Sequence, residues 1–345
     1  MKAVVKYDNR DGATKIIDVE VPEITEHEVL IRVKYAGICG GDPHIHHNSM
    51  SYPPTIEVPI ILGHECSGIV KEVGSKVKNV AVGDKVTCET HYGFCGQCFY
   101  CKQGSYNHCI DRKGLGASVN GVFAEYVKVS ESVIHKLPKN LDLRKAALTE
   151  PLCIVYNAII NHTAFKGGDN VAIIGPGTIG LLSAMLVKAL GAANVVIIGT
   201  DKDQRRYEIA TKIGIDTADC TKLPKEEIVN KYTNGLGFDV VVDAAGNNPA
   251  FKMAVDLVRR EGEISKIGFG PAPLDFSLDF LLLKGISAHF AFSHSWGAWE
   301  KCVQLLAGNV VDVEEIITHE LPLEEFEKGF ELIDSLEGIK VLLVP

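Results

Sequence analysis

From residue 171 onward the sequence alternates wholly apolar strands with amphipathic helices, and few folds admit that rhythm. The run Val171-Ala172-Ile173-Ile174 predicts a buried strand, followed by helix 178–190, strand 194–199, helix 202–213, strand 239–243, helix 249–260 and strand 263–268. A strand apolar at every position must be covered on both faces, and helices between strands supply the cover. The expected class is therefore α/β, with a doubly wound parallel sheet.

The first turn of that sheet reads Gly175-Pro176-Gly177-Thr178-Ile179-Gly180, a Gly-x-Gly-x-x-Gly set between strand and helix. The first glycine permits the tight turn, the second lets backbone approach a pyrophosphate, and the third lets helix and strand pack closely. Gly175, Gly177, Thr178, Ile179 and Gly180 are thus expected to hold a dinucleotide. The next strand ends Ile197-Ile198-Gly199-Thr200-Asp201-Lys202-Asp203-Gln204-Arg205-Arg206, where an adenosine ribose would be read. Counted back from the following helix, Asp201 takes the acidic position and favours NAD. Counted forward from Gly191, the position falls on Gly199, and Thr200, Lys202, Arg205 and Arg206 then make a phosphate pocket that favours NADP. The reading leans slightly to NAD.

Up to residue 90 the texture differs. Ala3-Val4-Val5, Lys15-Ile16-Ile17-Asp18-Val19, the run from Glu28 to Val33, Ser67 to Gly74 and Gly83 to Thr87 predict a β-rich, glycine-punctuated domain. A chain of 345 residues exceeds one ordinary core. The expected divisions are residues 1–152, residues 153–292, and a return of residues 293–345 to the first domain through the closing strand Lys340-Val341-Leu342-Leu343-Val344. A net charge of −9, with Lys and Arg scattered, excludes a general nucleic-acid partner. No stretch reaches the roughly 18 uninterrupted apolar residues of a membrane helix. The N-terminus lacks a signal-peptide pattern, so a cytoplasmic location is expected.

Ten cysteines in such a setting are expected to be thiols or metal ligands. Cys95, Cys98, Cys101 and Cys109 form C-x2-C-x2-C-x7-C. Four thiolates in one loop can close a tetrahedral shell without water, which describes a structural zinc, with an iron–sulfur cluster as the competing occupant. A second set is dispersed: Cys39, then His64-Glu65 after the apolar run Val58-Pro59-Ile60-Ile61-Leu62, then Glu150-Pro151. An imidazole and a carboxylate at the rim of a core need pairing, hydrogen bonds or a metal. Mixed S, N and O ligands with room for a water suit a catalytic zinc.

Gly37-Ile38-Cys39-Gly40, Gly63-His64-Glu65, the four-cysteine lobe, Glu150-Pro151-Leu152 and the glycine loop occur in the order and spacing of the zinc-dependent medium-chain dehydrogenases, which the chain resembles over essentially its whole length. Glu89-Thr90-His91 and the Glu-Pro-Leu stretch resemble the polyol (sorbitol-type) and threonine dehydrogenase branch. The resemblance implies a GroES-like β-rich catalytic domain plus a Rossmann doubly wound sheet domain, a cleft between them, two zinc ions per subunit, and homodimers or homotetramers. It implies Cys39 and His64 as zinc ligands, Glu65 at the metal directly or through water, Glu150 as an exchangeable ligand, and Asp42 as the partner that orients His64. His91 stands where the threonine branch has a His near the substrate, and His46 and His47 fall near the implied cleft.

One departure concerns the proton. The family usually has Ser or Thr two residues after the ligand Cys, where this chain has Gly41. His44 remains, and a water filling the gap is the expected route. The implied reaction is oxidation of a secondary alcohol, a polyol or sugar alcohol first, with hydride passing to the nicotinamide. An L-threonine 3-dehydrogenase-like or 2,3-butanediol-type enzyme is the alternative, and a non-catalytic NAD(P)-binding regulator is the alternative of another class. The apolar stretch from Phe280 to Phe290 is expected at the sheet edge, against a second subunit.

Overall fold

The apolar run from Val171 to Ile174 forms the buried part of a strand, Asn170–Ile174 (β1), around which the second half of the chain is arranged. The computed structural model describes residues 1–49, 56–270 and 272–345. They make two compact units: Met1–Glu150 with His294–Asn309 and Ile317–Pro345, and Pro151–Ser293 with Val310–Ile316.

In the second unit β1 is joined by Asn194–Gly199 (β2), Asp216–Asp219 (β3), Phe238–Asp243 (β4), Val258–Lys266 (β5) and Ser287–Phe290 (β6). All pairings are parallel, in the order β3-β2-β1-β4-β5-β6. This is the expected doubly wound sheet, and its order reverses beside β1, where ligands bind in such sheets. Val196, Ile198, Val241, Ile264, Phe238 and Leu257 fill its core. Each fully buried aliphatic of this kind contributes about 1.5–3 kcal/mol. The helix Thr178–Ala189 (α1) buries Leu181, Leu182, Leu186 and Val187. It stops at Gly191, whose φ of +92° lets the Ala192 amide reach back to Val187 O at 3.0 Å.

Among the elements of this unit that escape the periodic pattern are β3 and a helix Lys225–Thr233. Both are short and largely polar. The helix expected over 249–260 ends at Leu257, because Val258 already pairs with Phe238 and starts β5.

The first unit is built on strands. Its larger sheet runs Ile134–Lys136, Lys85–Cys88, Glu65–Val73, Glu28–Gly37, Lys340–Val344 and Ile317–Pro322, with Tyr126–Ser130 also on Glu28–Gly37. A smaller sheet joins Thr14–Asp18, Lys2–Lys6 and Ile60–Ile61. The closing strand therefore lies between Glu28–Gly37 and Ile317–Pro322. Register sets Gly37 opposite both Glu65 and Leu342, which brings residues from the two ends of the sequence to one place. No described helix is long and apolar enough to cross a membrane.

Candidate functional site

Cys39 follows the end of strand Glu28–Gly37, and His64 sits in the turn that enters strand Glu65–Val73. That turn requires Gly63: its φ is +87°, and a Cβ there would lie 2.3 Å from the Phe123 ring. One ligand atom from each of Cys39, His64 and Glu65 falls within 4.8 Å of the others. Cys39 and His64 are half-buried while Glu65 is buried beneath them, so the set is open on one side. Burial opposes a charge on His64, but the Cys39 hydrogen bond and the charges of Cys39, Asp42 and Glu150 outweigh it and raise its pKa well above the ordinary value. A pocket that draws a proton this strongly suits a cation, and soft sulfur beside imidazole and carboxylate suits zinc.

Glu65 is not free beneath the other two. Lys340 donates to both of its oxygens, Oε1 at 3.0 Å and Oε2 at 2.8 Å, and to Ile38 O at 2.8 Å. Room for the carboxylate comes from Gly37, where a Cβ would meet Glu65 Oε2 at 2.2 Å. Glu150, in the first turn of helix Thr149–Tyr156, is buried, and burial pushes its carboxyl up to about 7 against the attraction of His64. It stands outside the 4.8 Å set of Cys39, His64 and Glu65.

The four lobe cysteines also converge. Cys98 Sγ is 3.5 Å from Cys101 Sγ, Cys109 Sγ is 3.5 Å from Cys95 Sγ, and Cys95 Sγ is 3.9 Å from Cys101 Sγ. The backbone amides of Cys95 and Cys98 point at Cys109 Sγ and Cys95 Sγ, each at 3.3 Å, as they do around thiolates. This set could hold a metal with no open position.

The glycine loop has the form a dinucleotide needs. Gly175 has φ +103°, a Cβ on Gly180 would strike Gly175 O at 1.8 Å, and a Cβ on Gly177 would meet nothing within 4 Å. The first and third glycines close the turn onto α1, and the second leaves open space at the helix N-terminus. No side chain caps Gly177.

Family models for the "Alcohol dehydrogenase GroES-like domain" and for the "Zinc-binding dehydrogenase" match residues 25–139 and 178–308. The sorbitol dehydrogenase of Halalkalibacterium halodurans is 40% identical, over 100% of this chain and 99% of its own. The chain belongs to the zinc-type medium-chain alcohol dehydrogenases. It is thus an oxidoreductase acting on CH–OH with NAD(P). The L-threonine 3-dehydrogenase of Bacillus subtilis strain 168 is 38% identical over 100% of this chain and 99% of its own. The alcohol dehydrogenase TADH of Thermus sp. ATN1 has TM-score 0.90 at 32% identity, covering 100% of this chain and 99% of that one.

Several residues of the dehydrogenase sit differently from expectation. Asp42 makes no hydrogen bond to His64: its Oδ2 accepts from the Cys39 amide at 2.8 Å and its buried Oδ1 has no partner. His44 is exposed, with Nδ1 on Ser49 Oγ at 3.0 Å. His46 packs on Phe326 and Phe330, and His47 pairs with Asp11 and Asp334. His91 is wholly buried. Among the described residues, a Cβ on Gly41 would meet only Cys39 Sγ, at 3.9 Å. In the second unit Thr200 caps the turn Asp201–Asp203, whose Asp203 Oδ2 accepts from Thr200 N at 2.9 Å and Thr200 Oγ1 at 3.0 Å. Asp201, Lys202 and Arg205 are exposed, whereas Arg206 is mostly buried, with its Nε unpartnered. Lys340 was not foreseen. The one signal for it is a lone charge opening an otherwise apolar strand.

Proposed function

We propose that this dehydrogenase oxidises a secondary alcohol of a polyol, with Cys39, His64 and Glu65 as the metal-holding set, Glu150 as an exchangeable ligand, and the Gly175–Gly180 loop as the pyrophosphate cradle. The observation that carries the reading is the half-open sulfur, imidazole and carboxylate cluster. A zinc bound there would supply Lewis acidity to the alcohol oxygen. Cys39 and His64 would fix its position, Lys340 would restrain Glu65 below it, and Gly41 would leave room for a water to carry the proton outward. Glu150 would serve as the ligand that gives way when substrate or water takes its place. The four-cysteine lobe would hold a second zinc that stiffens its loop and does no chemistry.

For the cofactor, β2 ends at Gly199, where a side chain would meet Tyr207 Oη at 2.8 Å and Asp203 Oδ2 at 2.9 Å. A carboxylate there would have to displace both groups, and Asp203 is engaged by its own cap and by Arg206. Arg206 is mostly buried, its Nη1 3.5 Å from Asp203 Oδ1 and its Nε without a hydrogen-bond partner, and a guanidinium at this place supports the count that ends at Gly199 and hence NADP. We further propose a cytoplasmic homodimer or homotetramer. The sheet ends at β6, and Leu278, Phe280, Leu282, Leu283 and Phe290 around it are exposed, an apolar edge that another subunit would cover.

The test is a panel of polyols, L-threonine, 2,3-butanediol and simple secondary alcohols, with NADP and with NAD, followed by nicotinamide absorbance. Turnover best with polyols supports the proposal. Turnover with L-threonine or 2,3-butanediol alone moves the assignment to the relatives of that type, and no turnover with any favours a regulator.

A further inference from the structure

The three buried side chains Glu89, His91 and His294 form a third cluster, which shares no residue with the two metal sets described above. All three are fully buried. One ligand atom from each falls within 4.8 Å of the others. Glu89 Oε2 is 3.3 Å from His91 Nε2 and 3.5 Å from His294 Nδ1. Neither contact is a hydrogen bond: both His91 ring nitrogens and His294 Nδ1 are buried without a hydrogen-bond partner.

Two orphaned imidazole nitrogens, His91 Nε2 and His294 Nδ1, facing one carboxylate oxygen call for a physical explanation, since buried polar atoms are nearly always satisfied. The distances supply one. Two ligands about 2.0–2.1 Å from one tetrahedral ion stand about 3.3–3.4 Å apart, and their lone pairs point at the ion rather than at each other. Close approach without hydrogen-bond alignment is what such a pair looks like. The surroundings are those of a ligand set. Tyr106 Oη donates to Glu89, lying 2.8 Å from Oε1 and 3.0 Å from Oε2, Oε1 also pairs with His135 Nε2 at 3.0 Å, and His135 Nδ1 in turn meets Glu300 Oε1 at 2.5 Å. His294 Nε2 meets Thr90 Oγ1 at 3.1 Å, and that oxygen already accepts from Arg112 at 3.0 Å. With Nε2–H donating to it, Nδ1 presents its lone pair to the cluster. Outer hydrogen bonds that fix a carboxylate and a ring tautomer are the usual support of a metal site. Burial also holds the His91 pKa down to about 3, which keeps the ring neutral and its lone pair available.

We propose that Glu89, His91 and His294 form an additional binding site for one first-row divalent cation such as zinc or manganese, separate from the Cys39–His64–Glu65 set and from the cysteine lobe. Two imidazoles and a carboxylate favour such ions over calcium or magnesium.

The experiment is metal analysis of the purified full-length enzyme after equilibration with Zn2+, Mn2+ or Co2+, for wild type and for His91→Asn and His294→Asn. Wild type is expected to hold one equivalent more than either variant. The cobalt difference spectrum between them should show tetrahedral d–d bands and no sulfur-to-metal charge transfer. Wild type and variants with equal metal content would overturn the proposal, as would a difference spectrum carrying thiolate bands. Should the histidine variants fail to fold, Glu89→Gln keeps the shape of the carboxylate and must show the same loss. Because the readout is a difference in bound metal, it is independent of which alcohol the enzyme oxidises.

Discussion

The ε-ammonium of Lys340 lies 2.8 Å from Glu65 Oε2 and 3.0 Å from Oε1, in a place that exposes neither side chain. Its third hydrogen goes to Ile38 O, so the buried cation is satisfied and Glu65 is held away from free rotation. Removing one partner of a buried pair strands the other charge. Lys340→Met is therefore expected to cost about 3 kcal/mol of stability, read from denaturant unfolding of the metal-free protein. Zinc should recover part of that loss, because Glu65 would then turn to the metal. A variant as stable as wild type would show that the pair carries no such weight.

Gly37→Ala tests how closely the site is packed. The added methyl would stand 2.2 Å from Glu65 Oε2, and the opposing strand leaves the carboxylate nowhere to retreat. The expected outcome is loss of one zinc equivalent and of turnover by about 100-fold or more, while the lobe keeps its metal. Metal analysis alongside turnover checks it, and full activity in this variant would refute the geometry.

Gly41→Ser should behave in the opposite way. A Cβ there meets only Cys39 Sγ, at 3.9 Å. If a water carries the proton through this gap, a serine hydroxyl replaces it, and kcat stays within roughly tenfold of wild type. Inactivity with zinc still bound would exclude the water route.

The buried Glu150 gives a pH signature in the metal-free protein. Burial raises its carboxyl to about 7 from the ordinary 4.5. Between those values the folded chain binds the proton and the unfolded chain does not, so this group's contribution is full below about pH 4.5, falls as pH rises, and is gone above about pH 7. Wild type minus Glu150→Gln, followed by urea denaturation from pH 4.5 to 7.5, isolates it from the opposing groups. A flat difference would mean that Glu150 is ionised throughout.

The cofactor reading rests on Arg206. Arg206→Ala is expected to weaken NADP binding roughly 10- to 100-fold, the worth of a charge-assisted hydrogen bond, and to leave NAD nearly unchanged. Quenching of protein fluorescence by each cofactor measures this without turnover. An equal loss for both cofactors would assign Arg206 to the fold instead.

What the sequence discloses is what is periodic or local. The strand β1 and its glycine loop are legible because burial on both faces forces an unbroken apolar run, and a tight turn forces glycine. The cysteine lobe is legible because all four ligands fall within one loop. Asp216–Asp219 and Lys225–Thr233 are not, since short polar edges carry neither period. Lys340 was invisible for a different reason: its partner Glu65 is 275 residues away, and only the sheet register joins them. His294 meets Thr90 across 204 residues in the same way. The orientation of Asp42 is not legible either: its Oδ2 faces the Cys39 amide and its Oδ1 is left without a partner, while its charge still acts on His64.

The strand Lys340–Val344 is inserted between two others rather than added at an edge. During synthesis the ribosome delivers Cys39, His64 and Glu65 long before this strand exists, whereas all four lobe cysteines lie within fifteen residues. A metal held by the lobe, as proposed, would therefore be able to bind early, on the nascent chain. The sulfur, imidazole and carboxylate set waits with an unneutralised Glu65 and an open seam in the sheet until the last strand arrives and closes both at once.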